Sequence, residues 1–487
     1  MKLLVANRSE IACRIFQACR ELGISTVAVY APGDEEARHL TYADEVIEVS
    51  SYLKVEEVVG AARSSGSNLV HPGYGFLSER PVFARTVEAA GITFVGPRAE
   101  TMEALGGKID AKELAAKLGV PILPWARVAQ GQDIKKAART VGFPLLLKAA
   151  SGGGGKGMRR VTREEDLESA AESASAEAVS AFGDGTLFLE KLVEKPRHIE
   201  VQVFGDGLGG VVHLHERECS LQRRHQKIWE EATAPNLSDA TRKGLQEAAL
   251  KLSQHVKYRS AGTLEFLVDE TGEFYFLEMN TRLQVEHPVT ELVTGVDLVH
   301  AQIQQALEPK KSRLPQVQTP RGHAIEVRIY AEDPALGFVP TPGKVERLRW
   351  PMGPGIRVDS GIEEGQTVGT GFDSMLAKLI VSAENRQMAI ARMKYALEET
   401  VILGLGTNQV YLHALCSNSA VQKGQVYTSF LDKEFAAEFK PQISSDDLGM
   451  LAQAAQKGLP AGVSSGGTPS STIASPWSLI SREGLAP

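Results

Sequence analysis

Between residue 2 and about 105, short apolar runs alternate with longer amphipathic stretches. Leu3 to Val5, Thr26 to Val29, Asn68 to Val70 and Thr93 to Val95 read as strands, and Ile11 to Leu22 and Val55 to Ser64 as helices. That βαβ rhythm predicts a doubly wound parallel sheet. A smaller unit follows from Lys108 to about Glu190, with strands over Pro144 to Ala149, Met158 to Val161 and Leu187 to Glu190 and an Ala-rich helix over Glu164 to Ala181. From Pro196 to about Glu308 the chain is rich in β-branched and aromatic runs, with one amphipathic helix around Ala240 to His255. Further strands start at Arg321, before helices over Arg386 to Glu399 and Asn408 to Cys416. Beyond Lys440 the density of Ser, Gly, Ala and Pro rises, which predicts a helix and a loose tail over 440–487.

Two segments alternate polar and apolar residues with a period of two. If Phe274 to Glu286 were extended, Glu278, Asn280, Arg282, Gln284 and Glu286 would share one face and Leu277, Met279, Leu283 and Val285 the other. A solvated edge strand also alternates in this way. The acid, amide and guanidinium groups of this face point instead to a site for a metal and an anion. Arg197 to Val203 repeats the pattern, setting His198, Glu200 and Gln202 opposite Ile199, Val201 and Val203.

At 487 residues the chain exceeds the size of one core, so two to four domains are expected. A net charge of -7 argues against a nucleic-acid surface, which needs concentrated Lys and Arg. Cys13, Cys19, Cys219 and Cys416 are scattered and form no Cys-x-x-Cys pair, so neither a zinc site nor a disulfide framework is indicated. No apolar segment approaches the roughly twenty residues that span a bilayer, and the apolar run at Leu3 is too short for a signal segment. A cytoplasmic protein is expected, with no nucleic-acid or membrane partner.

The 46 glycines should cluster in working loops. Gly152, Gly153, Gly154 and Gly155 follow the strand ending near Lys148; such a run is costly to order and suits a loop that approaches phosphate closely or moves. It is not a Walker A loop, because Met158 stands where that motif has Lys. Lys148 ends an apolar run, where a buried ammonium needs an anionic partner. Lys108, after Gly106 and Gly107, is either a second phosphate ligand or a solvated residue at a helix start. Glu218 to Lys227 is dense in donors and lacks a helical apolar stripe, so it reads as an active-site loop. Glu265, alone in an apolar strand, should face Glu278 and Asn280 across a hairpin through Glu270 to Glu273, giving an all-oxygen set suited to Mg²⁺, with Mn²⁺ able to substitute.

Two carboxylates ending adjacent strands, a Gly-rich lid and the lysine before it resemble the ATP-grasp fold. More specific strings, His71 to Glu79, Arg197 to Gln202, Gln222 to Lys227 and Glu278 to Pro288, resemble biotin carboxylase over residues 1 to about 435. The resemblance implies a Rossmann-like N-terminal domain over 1–106, an ATP-grasp domain over 107–308 with a mobile Gly-rich lid at about 120–192, and a C-terminal biotin carboxylase domain over 320–435. It implies ATP binding by Lys108, Lys148, His198, Gln222, His225 and glycines 152 to 155, with Glu190 and Lys191 near the adenine. Lys227 would hold bicarbonate or the phosphoryl group. Glu265, Glu278 and Asn280 would hold the metal. Arg282 and the Gln284-Val285 backbone would hold bicarbonate, with Glu286 as its base. Arg328 would stabilise the enolate-like ureido oxygen of biotin, in a pocket lined by Tyr74.

The implied activity is ATP- and bicarbonate-dependent carboxylation of biotin, the first half-reaction of an acetyl-/acyl-CoA carboxylase, by a homodimer. Ser9 and Gly107 depart from the family's usual Gly and Asp. No Ala-Met-Lys-Met attachment sequence is present, so biotin is expected on a separate biotin carboxyl carrier protein, working with a carboxyltransferase subunit. Two alternatives stay open: another ATP-grasp ligase joining a carboxylate to an amine, and a non-catalytic nucleotide-binding assembly subunit.

Overall fold

The computed structural model describes residues 1–128, 134–150 and 158–439. Glycines 152 to 155 and the helix and tail expected over 440–487 lie outside these residues. Within Met1–Lys440 the chain forms one compact unit.

The N-terminal apolar runs form strands β1 (Lys2–Val5), β2 (Ser25–Tyr30), β3 (Glu45–Glu48), β4 (Leu69–His71) and β5 (Thr93–Phe94), in a parallel sheet of order β3-β2-β1-β4-β5. Leu3, Leu4 and Val5 have no exposed surface, as expected for a central parallel strand covered on both faces. Helix α1 (Ser9–Glu21) buries Ile11, Ala12, Ile15, Phe16, Ala18 and Cys19, a stripe with helical spacing. The next unit is a four-stranded antiparallel sheet of order β6-β9-β7-β8, from β6 (Trp125–Val128), β7 (Leu145–Ala149), β8 (Arg159–Val161) and β9 (Leu187–Lys191), packed on the helix Leu167–Phe182.

An eight-stranded sheet carries the rest. It comprises β10 (Arg197–Asp206), β11 (Val211–Arg223), β12 (Gln226–Ala232), β13 (Arg259–Val268), β14 (Phe274–Asn280), β15 (His323–Tyr330) and the strands Ile356–Ser360 and Met375–Ala383. β12 pairs with β15, so one sheet crosses the 308–320 region where a domain division is expected. Ile199, Val201 and Val203 pack with Leu264, Phe266 and Phe276 against the helix Asp239–His255, leaving the His198, Glu200 and Gln202 face to the site.

Two local expectations are corrected. The strand read over 274–286 ends at Asn280; Thr281 to Glu286 forms a turn leading into the helix His287–Thr294. Pro288 lies in the first turn of that helix, where its missing N–H costs nothing. Glu218 to Lys227 is not a loop but a β11–β12 hairpin, closed by Arg224 and His225. Both turn residues have positive φ, 48° and 68°, as a type I′ turn requires. Neither is Gly or Asn, so no turn signal was visible.

Ser9, at the start of α1, also has positive φ, 58°, and a Cβ on Gly361 would lie 1.9 Å from its hydroxyl. A non-glycine residue in this region costs about 1 kcal/mol or more, and glycine does not. The variant Ser9→Gly should therefore raise the thermal midpoint relative to the parent; an unchanged or lowered midpoint would contradict this account of the turn.

Candidate active site

The polar strand faces converge on the Lys227 ammonium. It donates to Glu200 at 2.7 Å, Glu265 at 2.9 Å and Glu286 at 2.7 Å, from β10, β13 and the turn after β14. Burial alone would lower the ammonium pKa, but Glu200, Glu265 and Glu286 outweigh it and hold it well above the ordinary lysine value. Burial likewise pushes Glu286 up, yet Lys227, Arg328 and Arg217 prevail and keep its carboxyl well below the usual carboxylate range. Arg217, with no exposed surface, fixes Glu200 at 2.5 Å and also bonds Gln202, Thr263 and Thr290.

The hairpin places Glu265 directly opposite Glu278. A register shift beyond Glu265 leaves Leu277 unpaired, so Leu277 and Glu278 both line the adjoining cavity. Burial and the neighbouring Glu265 charge raise the Glu278 carboxyl. Two carboxylates side by side, Glu265 buried and Glu278 half-buried, fit a divalent cation, whose charge would relieve that repulsion. Asn280 donates to Glu265 at 2.8 Å and accepts from Arg282 at 3.1 Å, so it braces the acid. His198 Nε2 lies 3.1 Å from the other Glu265 oxygen. Arg282 is anchored by Glu79 at 2.9 Å and reaches the Gln284 side chain at 3.3 Å.

Beside this centre is a cavity of about 460 Å³ lined by Lys108, Lys148, Glu190, Lys191, His198, Gln222 and His225, with Leu267 and Leu277 on an apolar wall. Glu190 is fully buried and bonds both Lys148 and Lys112. Burial would raise its carboxyl, but Lys148 and Lys112 bring it down to about 2. Lys191 instead donates to the Phe143 carbonyl at 2.7 Å. Gln222 Nε2 meets His198 Nδ1 at 2.8 Å.

On the far side of Glu286, Arg328 donates to it at 2.9 Å and to Glu230 at 2.6 Å. Tyr74 bonds Glu10, and its hydroxyl feels the charges of Arg328 and Glu326. The arrangement thus has a cavity lined by several lysines, a carboxylate pair, and one acid held between an ammonium and a guanidinium. Lys112, Arg217, Glu230 and Lys378 were not singled out from sequence. Lys378 is a lone charge in an apolar strand, while Lys112, Arg217 and Glu230 sit among other charged residues, and only the tertiary pairing shows which charge each meets.

Comparison with known proteins agrees with this geometry. Residues 1–102 match the biotin carboxylase N-terminal domain, 107–313 the carbamoyl-phosphate synthase L chain ATP-binding domain and 326–433 the biotin carboxylase C-terminal domain. The chain is 45% identical to biotin carboxylase of Haemophilus influenzae, covering 89% of this chain and 98% of that one. It is 46% identical to a pyruvate carboxylase subunit of Methanothermobacter thermautotrophicus, over 89% of each. A biotin carboxylase from Campylobacter jejuni, solved as a β-γ-ATP complex, superposes with a TM-score of 0.86 at 42% identity, over 89% of this chain and 98% of that chain. The biotin carboxylase domain dimer of Hydrogenobacter thermophilus 2-oxoglutarate carboxylase, in complex with MgADP, ADP and bicarbonate, gives 0.87 at 43% identity, over 91% and 99%. Fold and site define an ATP-grasp ligase. The chain belongs to the biotin carboxylase family.

Burial, with the Glu286 charge adding, pushes the Glu230 carboxyl up to about 7 despite the opposing Arg328. A raised carboxyl favours folding fully below its ordinary value of 4.5, and that contribution is lost as pH rises through about 7. Glu230→Gln is neutral throughout. The parent should therefore lose stability relative to this variant between those values, by at most about 1.4 kcal/mol per pH unit; parallel melting-temperature curves across pH 5 to 8 would contradict the assignment.

Proposed function

We propose that this protein uses ATP and bicarbonate to carboxylate biotin presented by a separate biotin carboxyl carrier protein, as the first half-reaction of an acyl-CoA carboxylase. The observation that carries the reading is Glu286, held between Lys227 on the cavity side and Arg328 on the other. ATP lies in the cavity with Lys108, Lys148, His198, Gln222 and His225 on its phosphates and Glu190 and Lys191 toward the adenine. Mg²⁺, or Mn²⁺, held by Glu265 and Glu278, neutralises phosphate charge when bound. Arg282, with the backbone of Gln284 and Val285, holds bicarbonate beside Glu286.

Three cations keep Glu286 ionised but also make it a weak proton acceptor. An arriving phosphoryl group competes for the Lys227 ammonium. As Lys227 turns toward it, Glu286 loses one of those cations and its affinity for a proton rises as bicarbonate must lose one. The bicarbonate oxygen then attacks the γ-phosphoryl group, the bond to ADP breaks, and carboxyphosphate forms. Its breakdown gives CO₂ and phosphate; the phosphate takes the N1′ proton of biotin, whose ureido oxygen lies on Arg328 near Tyr74, and CO₂ is captured at that nitrogen. Excluding water protects the intermediate. The alpha subunit of a methylcrotonoyl-CoA carboxylase shares 48% identity with this chain and the pyruvate carboxylase relative 46%, so the acceptor is set by the carboxyltransferase partner rather than by this site. The family's dimer in the Hydrogenobacter domain supports a homodimer.

Purified protein with Mg²⁺, ATP and bicarbonate should release ADP slowly until free biotin is added. Acceleration by an amine or amino acid with no response to biotin would favour a carboxylate–amine ligase instead. Glu286→Gln should lower turnover by about a hundredfold or more, the scale of a lost general base, while nucleotide binding by calorimetry is spared; unaltered turnover would remove Glu286 from that role.

A further inference from the structure

Lys378 lies on the strand Met375–Ala383 with no exposed surface, directly opposite Arg328 on one neighbouring strand and Asp359 on the other. An ammonium in such a place needs compensation. It receives it from the charges of Glu10 at 3.2 Å and Asp359 at 3.5 Å, and donates a hydrogen bond to the Val285 carbonyl at 3.0 Å. Burial lowers its pKa, but Glu10, Glu326 and Asp359 together raise it, so it stays cationic. Glu10 comes from α1, Asp359 and Lys378 from the C-terminal strands, and Val285 from the turn after β14.

The neighbouring peptide is held as well. His287 Nδ1 contacts the Gln284 carbonyl at 2.7 Å, and the His287 N–H donates to the same oxygen at 3.3 Å. A trans peptide is planar, with its N–H directed opposite to its C=O. Fixing the Val285 carbonyl on Lys378 therefore directs the Glu286 N–H away from Lys378, and fixing the Gln284 carbonyl does the same for the Val285 N–H. Among the described residues, neither N–H donates to a protein acceptor. Two consecutive free N–H groups beside Arg282 form an anion-binding element.

We propose that Lys378 is a positioning residue for bicarbonate, which holds the Val285 carbonyl from behind so that the Val285 and Glu286 N–H groups and the Glu286 carboxylate all meet the anion. This rests on the biotin carboxylase reading of the site. Lys378 touches neither bicarbonate nor nucleotide, so its effect is expected on one substrate only.

The test is the bicarbonate dependence of biotin-stimulated ADP release in the full chain, for the parent and for Lys378→Met, Lys378→Arg and Asp359→Asn. Loss of a buried charged hydrogen bond should raise the bicarbonate KM about ten- to a hundredfold in Lys378→Met, with the ATP KM within about twofold of the parent. Lys378→Arg should recover most of the loss. An unchanged bicarbonate KM, or one that rises in step with the ATP KM, would overturn the proposal. If Lys378→Met fails to bind an ATP analogue and so has not folded, Asp359→Asn decides. A bicarbonate KM raised about threefold or more, with the ATP KM unmoved, supports the positioning role, and an unmoved bicarbonate KM overturns it. A parent enzyme without bicarbonate-dependent ADP release would sink the functional reading and this inference with it, whereas an active parent with indifferent variants sinks the inference alone.

Discussion

The structure depends on one buried ammonium shared among three carboxylates. Lys227 draws Glu200, Glu265 and Glu286 to within 2.9 Å, although they come from two strands and a turn. Without that cation the acids would repel one another in a region that excludes water, and at least one would take up a proton. With it the Glu265 and Glu286 carboxyls are held below the usual carboxylate range, and the cation becomes the group for which a phosphoryl oxygen must compete. Folding and catalysis thus use the same charge, and buried ion clusters of this kind contribute little to stability alone.

Around that centre the sheet acts as a ruler. Direct cross-strand pairing sets Glu265 against Glu278, Glu230 against Glu326, and Lys378 between Arg328 and Asp359. Glu265 and Glu278 share one hairpin, but Glu230 and Glu326 come from segments far apart in sequence, and the strands β12 and β15 join what sequence alone divides into two domains. The continuity is functional. Arg328, from the C-terminal part, reaches Glu286 only because the sheet does not stop where the domain division is expected.

Much of this was legible in the chain. Period-two alternation identified β10 and β14, and a single carboxylate in an apolar run identified β13, because a half-buried strand must show its pattern in the sequence. The same rule failed past Asn280, where polar and apolar residues go on alternating through a turn; periodicity does not register where hydrogen bonding ends. It failed again at Arg224 and His225, whose left-handed backbone is imposed by the flanking strands rather than favoured by the residues. Lys112, Arg217, Glu230 and Lys378 were invisible for a third reason: a charge in a helix or strand, whether among other charges or alone as Lys378 is, does not say which partner it meets, and only the tertiary fold does. The glycine run, read as a loop that approaches phosphate, lies outside the described residues.

The most direct test of the Lys227-centred account is the fate of bicarbonate oxygen. If bicarbonate attacks the γ-phosphoryl group there, turnover of fully ¹⁸O-labelled bicarbonate with biotin, read by mass spectrometry, should leave one labelled oxygen in each inorganic phosphate released. Phosphate carrying no label, released at the same rate as ADP, would mean that water or another nucleophile takes the phosphoryl group, and the account would be wrong.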